Sequence, residues 1–178
     1  MGYGIIEQIG NRLQVCDQGV LRPRTDLLER RLVFVFDELT ILLERHCPDV
    51  VAIEDIFVHA NPRSALILGT ARGVIMLAAA KSGVAISTYN PRQMKLALTG
   101  SGNASKQQIK KMITLLLGIG CVSEDAADAL GLAICHAHHQ PLHRSPLPGS
   151  LELLADVRRR RSPARRIILG KDYRDRTA

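Results

Sequence analysis

The chain has 178 residues, 46% apolar and 23% charged, which suits one soluble domain with a buried core and excludes a disordered or fibrous protein. No apolar run approaches the ~20 residues of a membrane span, since Ala65 to Ala80 is broken by Arg72, and no export signal opens the chain, so a cytoplasmic protein is expected. Net charge is +7, but residues 151–178 alone hold nine Lys and Arg against four Asp and Glu, so overall basicity is a weak argument for nucleic acid. The four cysteines, Cys16, Cys47, Cys121 and Cys135, form no C-x-x-C pair and read as reduced apolar residues.

Tyr3 to Gln8 and Leu13 to Leu21 read as two extended segments around Gly10-Asn11, a hairpin signal. Thr25-Asp26 is the expected cap of a helix whose apolar residues, from Leu28 and Leu32 to Leu42 and Leu43, follow a 3.6 period until Pro48 ends it. Val50 to Ile53 is a short apolar run, as expected of a strand covered on both faces. A helix rich in small residues is expected over Pro62 to Lys81, then a strand over Val84 to Thr88, and these two strands should run parallel. Further helices are expected over Pro91 to Leu98, from Ser105 to Leu117 and from Ser123 to His138, the last two capped by their serines. Residues 1–140 form the expected domain. Prolines at 141, 146 and 148 mark a linker, Leu151 to Val157 could form a helical turn or two, and a basic tail beginning at Arg158 is expected to be mostly disordered.

A hairpin followed by alternating helices and strands describes an α/β layer fold. Glu54 directly follows an apolar strand, at the end where open α/β sheets bind ligands, although a solvated strand-end carboxylate is the plain alternative. Asp125 and Asp128 lie three apart, on one face of a helix's first turns. Early acids also stabilise a helix N-terminus, which accounts for Glu124 and Asp125 better than for Asp128 among Ala127, Ala129 and Leu130. Neighbouring carboxylates repel unless a cation lies between them, and oxygen-only ligands suit magnesium or manganese. Phe57, beyond the strand end, could stack on bases or be a core-edge ring. Arg72, Lys95, Lys106, Lys110 and Lys111 are candidate phosphate contacts, Lys106 foremost because it follows the Gly100–Asn103 loop. Cys135-His136-Ala137-His138-His139, with His143, lacks the second cluster of a closed zinc site and reads as the polar end of a helix.

Several blocks in one order resemble the RuvC family of Holliday-junction resolvases, the crossover junction endodeoxyribonucleases of bacteria. They are Gly2 to Ile6, Ala52 to Phe57, Ala65 to Gly73, Pro91 to Lys95, Gly100 to Lys106 and Asp125 to Leu130, within residues 2 to about 140. The resemblance implies a ribonuclease-H-like three-layer fold with a five-stranded mixed sheet. It also implies a homodimer that nicks opposed strands of four-way junction DNA, in concert with the RuvA and RuvB branch-migration proteins. Glu54, Asp125 and Asp128 match three of the family's four metal-holding positions, Phe57 the aromatic that probes junction bases, and Lys95 and Lys106 basic residues near the cut. Two magnesium ions ~3.5–4 Å apart, with manganese as a substitute, are the implied cofactors.

The fourth position departs from the family. The family opens with an apolar strand ending in a Gly-Ile-Asp-Pro-Gly-like segment, whereas Met1 stands where the next strand begins. The expectation is therefore a fold lacking its first, central strand and its leading aspartate. Either the working protein starts upstream, or the chain holds junction DNA without cutting it.

Overall fold

A computed structural model describes residues 1–55, 62–120, 122–139 and 165–170, with 62–64 and 165–170 described as backbone. The expected hairpin is β1, Gly2–Ile9, and β2, Arg12–Val20, antiparallel about a turn in which Gly10 takes φ of 59°, a conformation that costs glycine little. Helix α1, Leu28–His46, follows, then β3, Val50–Glu54, α2, Pro62–Lys81, and β4, Ala85–Tyr89. Helices α3, Pro91–Thr99, α4, Lys106–Leu117, and α5, Glu124–His139, complete the region read as a domain. β3 and β4 are parallel, as expected of strands joined through a helix.

The helix signals were accurate except at α1. Asn90 with Gln93 and Ser105 with Gln108 form reciprocal capping boxes on α3 and α4, and Ser123 Oγ accepts from the Ala126 N–H at 3.3 Å. At α1 the N-cap is Leu27, with no side-chain cap; Thr25 Oγ1 instead accepts from the Leu27 N–H at 3.4 Å. Thr25 lies two residues too early to reach the second or third N–H of the helix, where a cap must act.

The sheet corrects the expectation for the tail. Arg165–Gly170, within the stretch expected to be disordered, is a strand, β5, and the sheet order is β2-β1-β5-β3-β4. β5 runs antiparallel to β1, from Tyr3↔Gly170 to Gln8↔Arg165, and parallel to β3, from Val50↔Ile167 to Ile53↔Gly170. The central place is filled, by the other end of the chain. The physical reason is pairing: without β5, β1 and β3 would each present an open edge where Ile5, Ile6, Ala52 and Ile53 are at most 1% exposed.

Strand alternation divides the core into two layers. Ile5, Val51 and Ile53 face α1 and α2, packing with Val35, Leu39, Leu43 and Ile75. Ile6 and Ala52 face the other way, onto α5 with α3 and α4 behind it. α5 is buried from Ala126 to Ala137 and is accordingly built of small residues. A Cβ on Gly4 would come within 2.7 Å of Leu130 Cδ2, and one on Gly2 would run into the backbone carbonyl of Asp125. The two glycines let α5 lie directly on the start of β1.

Candidate metal centre

That close approach brings the first turn of α5 to one edge of the sheet. β3 ends there at Glu54, β4 at Tyr89 and β5 at Gly170, while β1, running the opposite way, begins there. Glu54 stands two residues beyond Ala52 on the same strand, so the alternation that turns Ala52 toward α5 turns Glu54 the same way. Asp125 presses against Gly2, and Asp128 follows one turn later; all three acids are half-buried. They therefore share one edge and one face.

They do not form a closed ligand set by themselves. Among the described residues, no three His, Cys, Asp or Glu gather closely enough to hold an ion. The sheet order supplies a reason: Glu54 belongs to β3 and Asp125 rests on β1, and β5 runs between them. The donor chemistry fits a hard divalent cation, since every candidate is a carboxylate.

Arg72 has a different place from the one its charge suggested. Its guanidinium donates to the Glu54 backbone carbonyl through Nη1 and to Thr88 Oγ1 at 3.0 Å through Nη2, with Asp55 Oδ1 3.9 Å away. It ties α2 to the ends of β3 and β4 and fixes the backbone that presents Glu54. Sequence spacing could not reveal this, because the partners lie 16 and 18 residues away.

Lys106 and Lys110 line a cleft between α4 and α5 together with Gln107, Glu124, Ala127 and Asp128. Two cations thus border the acidic edge. Lys95, half-buried on α3, and the exposed Lys111 are not among that lining. Phe57 falls outside the described residues. So do Cys121, His143 and the turn considered at Leu151 to Val157.

The histidines lie at the opposite end of α5. His136, 7% exposed, hydrogen-bonds through Nδ1 with the Tyr89 hydroxyl at 2.8 Å. His138 Nδ1 is 3.2 Å from the Ala97 carbonyl, and His139 Nδ1 is 3.0 Å from that of Cys135. Burial pushes the Cys135 thiol up to about 11 and raises the Tyr89 hydroxyl too. These groups tie α5 to β4 and α3.

Comparison with known proteins agrees with this architecture. The family model described as crossover junction endodeoxyribonuclease RuvC matches residues 1–136. The crossover junction endodeoxyribonuclease RuvC of Hyphomonas neptunium is 48% identical over 143 residues, which are 79% of this chain and 86% of that protein. The protein of the same name from Burkholderia ambifaria is 44% identical over 138 residues, 77% of this chain and 75% of that one. Among solved structures, Thermus thermophilus RuvC superimposes with a TM-score of 0.68 at 28% identity. The same protein in complex with a Holliday junction substrate gives 0.72 at 27%, and in each case 78% of this chain and 86% of the other is covered.

Proposed function

Because the chain belongs to the RuvC family of crossover junction endodeoxyribonucleases, with the family's ribonuclease-H-like fold, we propose that it resolves four-way DNA junctions by paired, magnesium-dependent nicks. One observation carries the reading: Glu54, Asp125 and Asp128 lie on the same face at the same edge of the sheet, although they belong to a strand and a helix far apart in sequence.

Each side chain has a task that follows from its place. Glu54, Asp125 and Asp128 hold the divalent cations. When bound, magnesium or manganese supplies polarisation of the scissile phosphate and a more acidic water. Helix α5 fixes the relative positions of Asp125 and Asp128, one turn apart on one face. Lys106 and Lys110 neutralise the phosphates on either side of the cut, and Lys95 on α3 contacts the DNA near it. Arg72 acts as a positioning residue through the Glu54 backbone, and Phe57 stacks on the junction bases.

A homodimer meets the need for two opposed cuts. α2 supports it, for Leu66 is 70% exposed and Leu77 54%, while a Cβ on Gly69 or Gly73 between them would touch nothing among the described residues. An apolar helix face left open in this way suits a second copy of the chain. The proposed setting is the cytoplasm, beside RuvA and RuvB; no helix among the described residues is long and apolar enough to cross a membrane.

The test is cleavage of a synthetic four-way junction with magnesium, alongside a gel shift in chelator. Glu54→Gln and Asp128→Asn should each slow nicking by about a hundredfold or more while the junction is still bound. Nicking at the parent rate by either variant would refute the assignment. Binding without nicking by the parent chain would make it a junction-binding module instead.

A further inference from the structure

The acids of the candidate centre stand on two separate elements, β3 and α5, so their geometry depends on how firmly α5 is fixed against the sheet. The helix meets the sheet at both ends. Its N-terminal half rests on β1, where Asp125 abuts Gly2 and Leu130 covers Gly4. Its C-terminal half reaches β4, where His136 Nδ1 and the Tyr89 hydroxyl are 2.8 Å apart. Residues 125 and 136 are about three helical turns apart. The residues buried between them are mostly small, among them Ala126, Ala129, Gly131 and Ala133. Apolar contacts of that kind are non-directional, whereas a hydrogen bond selects one placement.

We propose that Tyr89 and His136 are positioning residues of the metal centre, their hydrogen bond setting where the acids of α5 stand relative to Glu54. The inference deepens the junction-nicking reading and rests on it for what the metal does. Three contacts make Tyr89 the connecting residue. In the ladder of β3 with β4 it is the register partner of Glu54. Its carbonyl accepts from the Asp55 N–H at 2.8 Å, so its backbone also holds the residue that follows Glu54. Its ring meets His136 edge-on, with centroids 5.8 Å apart, and His139 at a tilt, 5.9 Å away. His136 is 7% exposed, and a polar ring so deeply buried is costly to leave without this partner. A slide of α5 over its contacts on Gly2 and Gly4 would move Asp125 and Asp128 against Glu54. A misplacement of ~1 Å can slow chemistry about a hundredfold.

The experiment uses the full chain carrying Tyr89→Phe, which keeps the ring and removes the hydroxyl, His136→Leu, or both. His136→Asn is the conservative variant, since its amide can stand where Nδ1 stands. Ile113→Val, which trims a fully buried side chain on α4 and leaves the pair intact, is the control for lost stability. Manganese binding without DNA is followed by electron paramagnetic resonance, nicking with saturating magnesium, junction binding by gel shift in chelator, and melting by circular dichroism. Tyr89→Phe and His136→Leu should each weaken manganese binding by about tenfold and slow nicking about tenfold or more, with junction binding as in the parent. The combined variant should lose no more than the worse single one, because both remove the same bond, and His136→Asn should recover most of the nicking. Ile113→Val should lower the melting temperature while manganese binding and nicking stay parental. Should His136→Leu fail to melt cooperatively, Tyr89→Phe and His136→Asn carry the same comparison. Parental manganese binding and nicking in Tyr89→Phe would overturn the inference. Losses that add in the combined variant would overturn it too, as would equal losses in Ile113→Val at a matched fall in melting temperature, since either marks packing alone. If the parent binds manganese but nicks no junction, the proposed function fails, and the manganese comparison still decides the role of Tyr89 and His136.

Discussion

A chain ending at residue 150 should not fold, and the ladder shows by how much. β5 is registered with six residues of β1 and four of β3. Taking roughly one ladder hydrogen bond per registered position, at a net ~0.5–1.5 kcal/mol each, its removal costs about 5–15 kcal/mol. That is the whole stability of an ordinary domain, ~5–15 kcal/mol, before any opening of the core is counted. The exposed backbone would lie beside Ile5, Ile6 and Ala52, which are all 0% exposed in the intact chain. Urea unfolding and thermal melting of the shortened chain should therefore show no cooperative transition. A milder form of the same perturbation is Ile168→Pro, which removes one N–H from a strand with partners on both sides and should cost ~3 kcal/mol or more. The reasoning is refuted if the shortened chain melts cooperatively within about 5 °C of the parent, a shift worth only a kcal/mol or two in a protein this size.

Three further expectations concern the surroundings of the site. Gly4→Ala places a methyl against Leu130 and should destabilise by ~1–3 kcal/mol, read in urea, with slower nicking because α5 carries Asp125 and Asp128. Arg72→Ala leaves the Glu54 carbonyl and Thr88 without their donor; nicking should fall while junction binding in chelator holds, and Arg72→Lys should not restore it, since an ammonium cannot reproduce the forked contact. In the native protein an alkylating reagent near pH 8 should modify the exposed Cys16 and Cys47 quickly and spare the buried Cys135. Because the folded protein raises that thiol to about 11, its neutral form contributes stability at and below the ordinary thiol range, and this is lost as pH climbs toward 11. Alkaline melts of Cys135→Ala, which lacks that loss, should report the difference.

Most of the fold was legible because its signals are local. The 3.6 period of α1, the caps at Ser105 and Ser123 and the apolar run before Glu54 are each readable within a few residues. The strand-end place of Glu54 and the first-turn places of Asp125 and Asp128 were legible, and the structure puts them on one edge. Other features depend on distant pairings. The link from Arg72 to Glu54 requires knowing that α2 returns across the ends of β3 and β4. β5 was concealed by its flanks: Ile167-Ile168-Leu169 is a strand-like run, but Arg158 to Arg161 and Arg165-Arg166 before it gave the segment the composition of a solvated tail.

Stability and chemistry are joined at this strand, and they can be separated. A change to the backbone of β5, such as Ile168→Pro, acts on β1 and β3 together and so shifts the frame that holds both Glu54 and Asp125. It must lower the melting temperature, metal affinity and nicking in step. Glu54→Gln changes no backbone donor or acceptor of the ladder and should lower metal affinity and nicking alone. Two lesions then differ in kind: one shifts the frame that holds the acids, the other removes only a charge that the frame holds. Were both to lower the melting temperature equally, the Glu54 carboxylate would be a structural partner of the sheet edge and not a metal ligand.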